Sequence, residues 1–142
     1  MKKKMKPERV FEKEFAWCCK IKKCLYIKIP DPIMTEKRVQ MMRDRGVSDE
    51  LKRPFDGILV KKTGNYCLEF KFGYGKLSEH QKYYQETING INQSFYIVRK
   101  TVTKVRNEIA KKIIYKLTLP DGQILQSNNL EDIIDYIGGN ND

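Results

Sequence analysis

RPFDGILVKKTGNYCLEFKFGYGKLSEHQ, residues 53–81, decides the fold. Two apolar runs, FDGILV (55–60) and YCLEFKF (66–72), flank the turn sequence KKTGN, and that pattern predicts a β-hairpin. Charge interrupts both runs: Asp56 opens the first, and Glu69 and Lys71 sit inside the second. Strand interiors exclude unpaired carboxylates because desolvation disfavours their charged form. Alternation along a strand puts Glu69 and Lys71 on one face. Directly opposite residues of a hairpin share a face too. If Val60 pairs with Asn65, Asp56 falls opposite Glu69; if it pairs with Cys67, Asp56 falls opposite Lys71. Either register gathers the three side chains. Two carboxylates this close repel unless a cation intervenes. Lys71 could serve, as a partly exposed ion pair on the hairpin. A divalent ion would suit both acids, since carboxylate and main-chain oxygens are what Mg²⁺ takes.

Working outward, GYG (73–75) reads as a loop, and Ser78 with Gln81 forms a Ser-x-x-Gln capping box opening a helix to about 89–90. QSFYIVRK (93–100) reads as a strand. Upstream, Val10, Phe11, Phe15, Trp17, Cys18 and Cys19 predict an amphipathic helix over 8–20, with Pro7 at its first turn. LYIKIP (25–30) is a strand stopped by Pro30. The polar stretch 31–54 reads as a surface insertion with a short helix near 35–44 and a turn at Gly46. After a basic connection, KIIYKLTL, PDG and QIL (112–125) form a second hairpin, and 127–137 a capped terminal helix. The order predicts one mixed α/β domain over 1–142, with a central mixed sheet flanked by helices and a C-terminal β-hairpin and helix.

Net charge is +10 and unevenly placed. Residues 1–28 hold ten Lys/Arg against three Glu, residues 99–116 hold seven against Glu108, and the last 22 carry five acids and no base. Two basic blocks suit a polyanion partner such as DNA, through phosphate contacts and counterion release. A lysine-rich solvated surface gives the same count. Arg38, Arg43, Arg45 and Arg53 in the insertion, Arg99, Lys100, Lys104 and Arg106 in the second block, and Tyr74 and Lys76 in the glycine loop are the candidate phosphate contacts. Cys18, Cys19, Cys24 and Cys67 match no zinc spacing and read as reduced thiols. No apolar stretch approaches the ~18 residues of a membrane span. MKKKMK is followed by PERVFEKEF in place of an apolar signal region, so a cytoplasmic setting is expected.

Pro54-Phe55-Asp56, Leu68-Glu69-Phe70-Lys71 and Glu79-His80-Gln81 together resemble the PD-(D/E)xK nuclease superfamily. Within it the chain looks most like archaeal-type Holliday-junction resolvases and related phage nucleases, a prokaryotic or phage setting. Those proteins open with a glutamate-bearing helix and a strand ending in a basic-x-Pro pattern; here Glu12 precedes Lys28-Ile29-Pro30. The resemblance covers about 8–98, and leaves the 31–54 insertion and the 99–142 extension without counterparts. The usual Pro-Asp is one residue looser here.

The resemblance implies a restriction-endonuclease-like core and a metal-dependent DNA endonuclease with roles in recombination or repair. Asp56, Glu69 and the carbonyl of Phe70 would bind Mg²⁺ or Mn²⁺, with Glu12 completing the shell, and Lys71 would orient water or neutralise phosphate. Glu8 and Glu14 compete with Glu12 for its place. Gln81 matches a helix glutamine near such sites, and its capping box explains it equally well. His80 reads as a packing or surface residue. A homodimer would present two sites to a symmetric branched substrate. The competing readings are a nucleic-acid-binding module that does not cut, and a nuclease acting on RNA or other DNA forms.

Overall fold

The computed structural model describes residues 5–31, 35–46, 52–104 and 111–139. Helix α1 (Pro7–Ile21) forms where Phe11, Phe15 and Cys19 recur every four residues, and all three are buried. Strand β1 (Leu25–Lys28) follows, then α2 (Glu36–Arg45). Thr35 caps α2 by accepting from the Arg38 N–H, and Gly46, left-handed at φ 66°, ends it. Next come β2 (Gly57–Lys61), β3 (Gly64–Phe72), α3 (Glu79–Asn92), β4 (Phe95–Lys104), β5 (Lys111–Thr118), β6 (Ile124–Ser127) and α4 (Leu130–Tyr136).

The strands form one six-stranded sheet in the order β1-β2-β3-β4-β5-β6. Every neighbouring pair is antiparallel except β3 and β4, which run parallel with α3 as the crossover. In the hairpin Val60 pairs with Asn65 and Gly57 with Leu68. That resolves the open register in favour of Asp56 opposite Glu69.

Alternation sorts β3 into two faces. Leu68 and Phe70 enter the core, where the Phe15 and Phe11 rings meet Phe70 at 5.0 and 5.5 Å. Glu69 and Lys71 take the opposite face, where α3 lies. Residues beyond 99 are no appendage: β5 and β6 extend the same sheet, and Leu130, Ile133, Ile134 and Ile137 join the α1 core. Lys61 fastens α4 to β2 by donating to the Ile134 and Ile137 carbonyls, both at 2.8 Å. These are orphan carbonyls at a helix C-terminus, and an ammonium also suits the negative end of the helix dipole.

Among the boundaries that differ from the sequence reading, three matter here. β2 starts at Gly57, leaving Phe55 and Asp56 in the approach to the strand. β4 continues through Thr101 to Lys104, because pairs such as Thr101 with Ile114 extend a ladder that polarity alone did not reveal. The last helix is capped by Asn129, whose side chain accepts from the Glu131 N–H. Ser127 instead ends β6 and donates its hydroxyl to Asp132. The four cysteines are free thiols. Among the described residues no helix is long and apolar enough to cross a membrane.

Candidate functional site

Asp56 is fixed by main chain before its side chain does anything. Its N–H donates to the Leu68 carbonyl and its carbonyl accepts from the Ile29 N–H, so it bridges the ends of β1 and β3. The Asp56 carboxylate is then split between two donors. Oδ2 accepts from the Phe70 N–H at 2.6 Å, and Oδ1 meets the Arg53 guanidinium at 2.6 Å. Asp56, Glu69, Lys71 and Glu12 are all buried.

Glu69 follows from the strand geometry. It faces α3, where Gln81 Nε2 donates to its Oε1 at 2.6 Å. Gln81 also completes the capping box, its Oε1 accepting from the Ser78 N–H. Gln81 is thus a capping-box residue whose amide also holds the Glu69 carboxylate. Burial pushes the Glu69 carboxyl up to about 8, and the neighbouring Asp56 charge adds to the rise, while Lys71 and Arg53 oppose it. Asp56 is raised as well, by burial first and then by Glu12 and Glu8, against the Phe70 N–H and Arg53.

Glu12 points from α1 toward the same region. Tyr26 donates to its Oε2 at 2.5 Å and the Lys28 ammonium lies 3.4 Å from its Oε1. A cleft of about 660 Å³ opens here, lined by Glu8, Glu12, Lys28, Arg53, Asp56 and Phe70 among others. Glu69 and Lys71 are not part of that lining. Of the competing glutamates, Glu8 shares the cleft, whereas Glu14 pairs with Lys100 and accepts from Tyr115. Tyr26 and Lys28 were not singled out for a role by the sequence. Alternation along β1 gave the opposite hint, since the more apolar Leu25 and Ile27 are its exposed residues and Tyr26 the one packed on the core.

The basic candidates divide. Arg53 turns into the site and is also held by Asp31 and by the Ile29 carbonyl. Lys100 is drawn inward onto Glu14 at 2.6 Å, with the Phe11 and Tyr115 rings beside it, so its charge is engaged inside the fold. Arg99 braces the loop after β3 by donating to the Gly73 carbonyl, and Gly73 is left-handed at φ 68°. Arg43, Arg45, Lys76 and Lys104 are exposed, as is Tyr74 at 91%. Arg38 lies on exposed α2, and Arg106 falls outside the described residues. His80 Nε2 lies 3.2 Å from the Arg53 carbonyl and its ring packs on Tyr84, a packing role.

Among the described residues no group of three or more His, Cys, Asp or Glu side chains is arranged to hold a metal ion. The donors that do meet are Asp56 and Glu69, both held toward their neutral forms by burial. Two desolvated carboxylates match the donor preference of a hard divalent cation. The described arrangement supplies internal cations instead: Lys28 at Glu12, Arg53 at Asp56, and Lys71 near Glu69. No family model matches the chain, and neither a curated protein nor a solved structure matches it.

Proposed function

We propose that the chain is a metal-dependent endonuclease hydrolysing phosphodiester bonds in DNA, with branched DNA as the favoured substrate and a restriction-endonuclease-like core. The observation that carries this reading is the Asp56–Glu69 pair: two buried acids close enough to act on each other, Asp56 just ahead of β2 and Glu69 on β3, with Lys71 beside Glu69. An isolated buried acid pair is costly. Its placement beside an open cleft on a basic chain gives that cost a use.

Asp56, Glu69 and the Phe70 carbonyl are the groups that would hold Mg²⁺ or Mn²⁺. A bound ion supplies Lewis acidity toward the scissile phosphate and lowers the pKa of water. The chain's own contributions are separate. The Phe70 N–H fixes the Asp56 carboxylate, Gln81 fixes that of Glu69, and the Lys71 ammonium offers positive charge to a phosphate or a hydrogen bond to water. Glu12, held by Tyr26, keeps a further carboxylate at the cleft. The exposed bases Arg43, Arg45, Lys76 and Lys104 are the candidates for backbone phosphates.

One observation favours a second reading, a nucleic-acid-binding module that does not cut: each acid already has an internal cation. End-labelled four-way junction, flap, duplex, single-stranded DNA and RNA, incubated with Mg²⁺, Mn²⁺ or EDTA beside Asp56→Asn, separate the two. Paired symmetric nicks on the junction, lost in EDTA and in Asp56→Asn, are expected. Tight binding without cleavage of any substrate would establish the binding module.

A further inference from the structure

Within the described part of the 31–54 stretch, Arg53 turns inward onto a site carboxylate, and it does so at the position a site cation would need. Its Nη2 lies 2.6 Å from Asp56 Oδ1, the oxygen left over once the Phe70 N–H has taken Oδ2. Asp56 therefore has no oxygen without a partner while Arg53 is in place. A divalent ion seeking this carboxylate must compete with the guanidinium.

The main chain and the side chain of Arg53 are held very differently. His80 meets its carbonyl at 3.2 Å, anchoring the backbone against α3. The side chain is about a quarter exposed, at 27%, and lines the open cleft. Its other contacts, with exposed Asp31 and with the Ile29 carbonyl at 3.3 Å, are ones that water can replace. Rotation about the side-chain torsions would thus move the charge without moving the fold. Lys28 does not duplicate it, because Lys28 is directed to Glu12 at 3.4 Å.

We infer that Arg53 is a two-position residue: the counter-ion of Asp56 when no metal is bound, and a phosphate contact in the cleft once a divalent ion has replaced it. This rests on the nuclease reading of the same site. The planar guanidinium suits both posts, since it pairs equally well with carboxylate and phosphate oxygens. It makes metal occupancy and substrate binding mutually supporting, because the ion frees the group that holds the phosphate.

Calorimetric titration of MnCl₂ into wild type, Arg53→Gln, Arg53→Lys and Asp56→Asn tests the exchange without any cleavage readout. Arg53→Gln should bind Mn²⁺ about tenfold more tightly than wild type, the equivalent of one charge-assisted hydrogen bond no longer in competition. Arg53→Lys should fall between them, and Asp56→Asn should lose the ion. Wild type binding Mn²⁺ with Arg53→Gln no tighter overturns the exchange and leaves the nuclease reading standing. No Mn²⁺ uptake by either protein overturns the metal reading beneath it. Should Arg53→Gln not fold, the Arg53 Nε–Hε resonance of wild type decides: it should shift on Mg²⁺ addition, and its immobility while Mg²⁺ binds overturns the proposal. For the phosphate post, Ca²⁺ should strengthen duplex binding by wild type, read by fluorescence anisotropy, and strengthen it less in Arg53→Gln. An equal gain in both, or none in wild type, removes that half.

Discussion

Gln81 donates to Glu69 Oε1 at 2.6 Å while its own Oε1 accepts from the Ser78 N–H at 2.9 Å, so one amide starts α3 and orients a site carboxylate. The two duties can be separated. Gln81→Glu preserves a capping-box residue but sets a carboxylate against Glu69. Gln81→Ala removes both hydrogen bonds and should cost about 0.5–2 kcal/mol. Thermal unfolding at pH 5 should therefore rank Gln81→Glu above Gln81→Ala. If the chain cuts DNA as proposed, both variants should cleave at least about tenfold more slowly than wild type, because Glu69 is no longer oriented. A Gln81→Glu protein with wild-type cleavage would confine Gln81 to capping.

The raised carboxyl of Glu69 makes a stability prediction with a definite sign. Its ordinary value is 4.5 and its folded value about 8, so between those limits the folded chain holds a proton that the unfolded chain has released. The stability contributed by that proton is complete below about 4.5 and is lost as pH rises through about 8. Glu69→Gln should remove this part of the slope and raise stability at pH 8 by roughly 2–4 kcal/mol. Urea unfolding at a series of pH values checks it. An unchanged slope would show that Glu69 ionises in the fold without penalty.

The basic stretch 99–116 makes two opposite predictions within one strand pair. Lys104, Lys111 and Lys112 are exposed, whereas Lys100 is held by Glu14 and two rings. If the exposed three bind phosphates, changing all of them to Gln should lower the magnitude of the salt slope of duplex binding by about 0.9 for each phosphate no longer neutralised. Lys100→Met should leave that slope unchanged and instead lower stability by about 1–3 kcal/mol, by leaving Glu14 without its charged partner. A slope change in Lys100→Met as large as that of one phosphate would mean that Lys100 leaves Glu14 on binding.

Gly57 tests the support behind Glu12. A methyl group at this position would overlap the Tyr26 ring and its hydroxyl. Gly57→Ala should displace Tyr26 from Glu12, costing about 1–3 kcal/mol as an overpacked site. Tyr26→Phe removes the same hydrogen bond without the overlap. On the nuclease reading, equal losses of cleavage in the two variants, with a larger loss of stability in Gly57→Ala, would separate the hydrogen bond from the packing. Full cleavage by Tyr26→Phe would show that Glu12 does not need Tyr26.

What the sequence made legible was local. The four-residue recurrence of Phe11, Phe15 and Cys19, the Ser78–Gln81 box and the glycine turn of the hairpin each act over a few residues, and the structure has them at the positions the pattern predicts. The hairpin register was undecided because KKTGN accepts more than one pairing, and only the pairing of Val60 with Asn65 puts Asp56 beside Glu69. The destinations of the bases were not legible. Arg53 and Lys100 look like surface charge in composition, and their partners Asp56 and Glu14 lie 3 and 86 residues away. A charge count carries no direction. Alternation through Tyr96 and Val98, both buried, was the signal that Lys100 starts toward the core side of β4.

The register of β3 has a consequence for how this chain could misfold. Gly57 pairs with Leu68 on one side and Glu69 with Ile97 on the other, so the strand is indexed by two neighbours at once. A slip of one residue would send Glu69 and Lys71 into the aromatic core and turn Leu68 and Phe70 toward α3. Hydrophobic sorting therefore proofreads the arrangement of the acids. A chain that has buried its phenylalanines correctly has, by the same act, turned Glu69 and Lys71 away from the aromatic core.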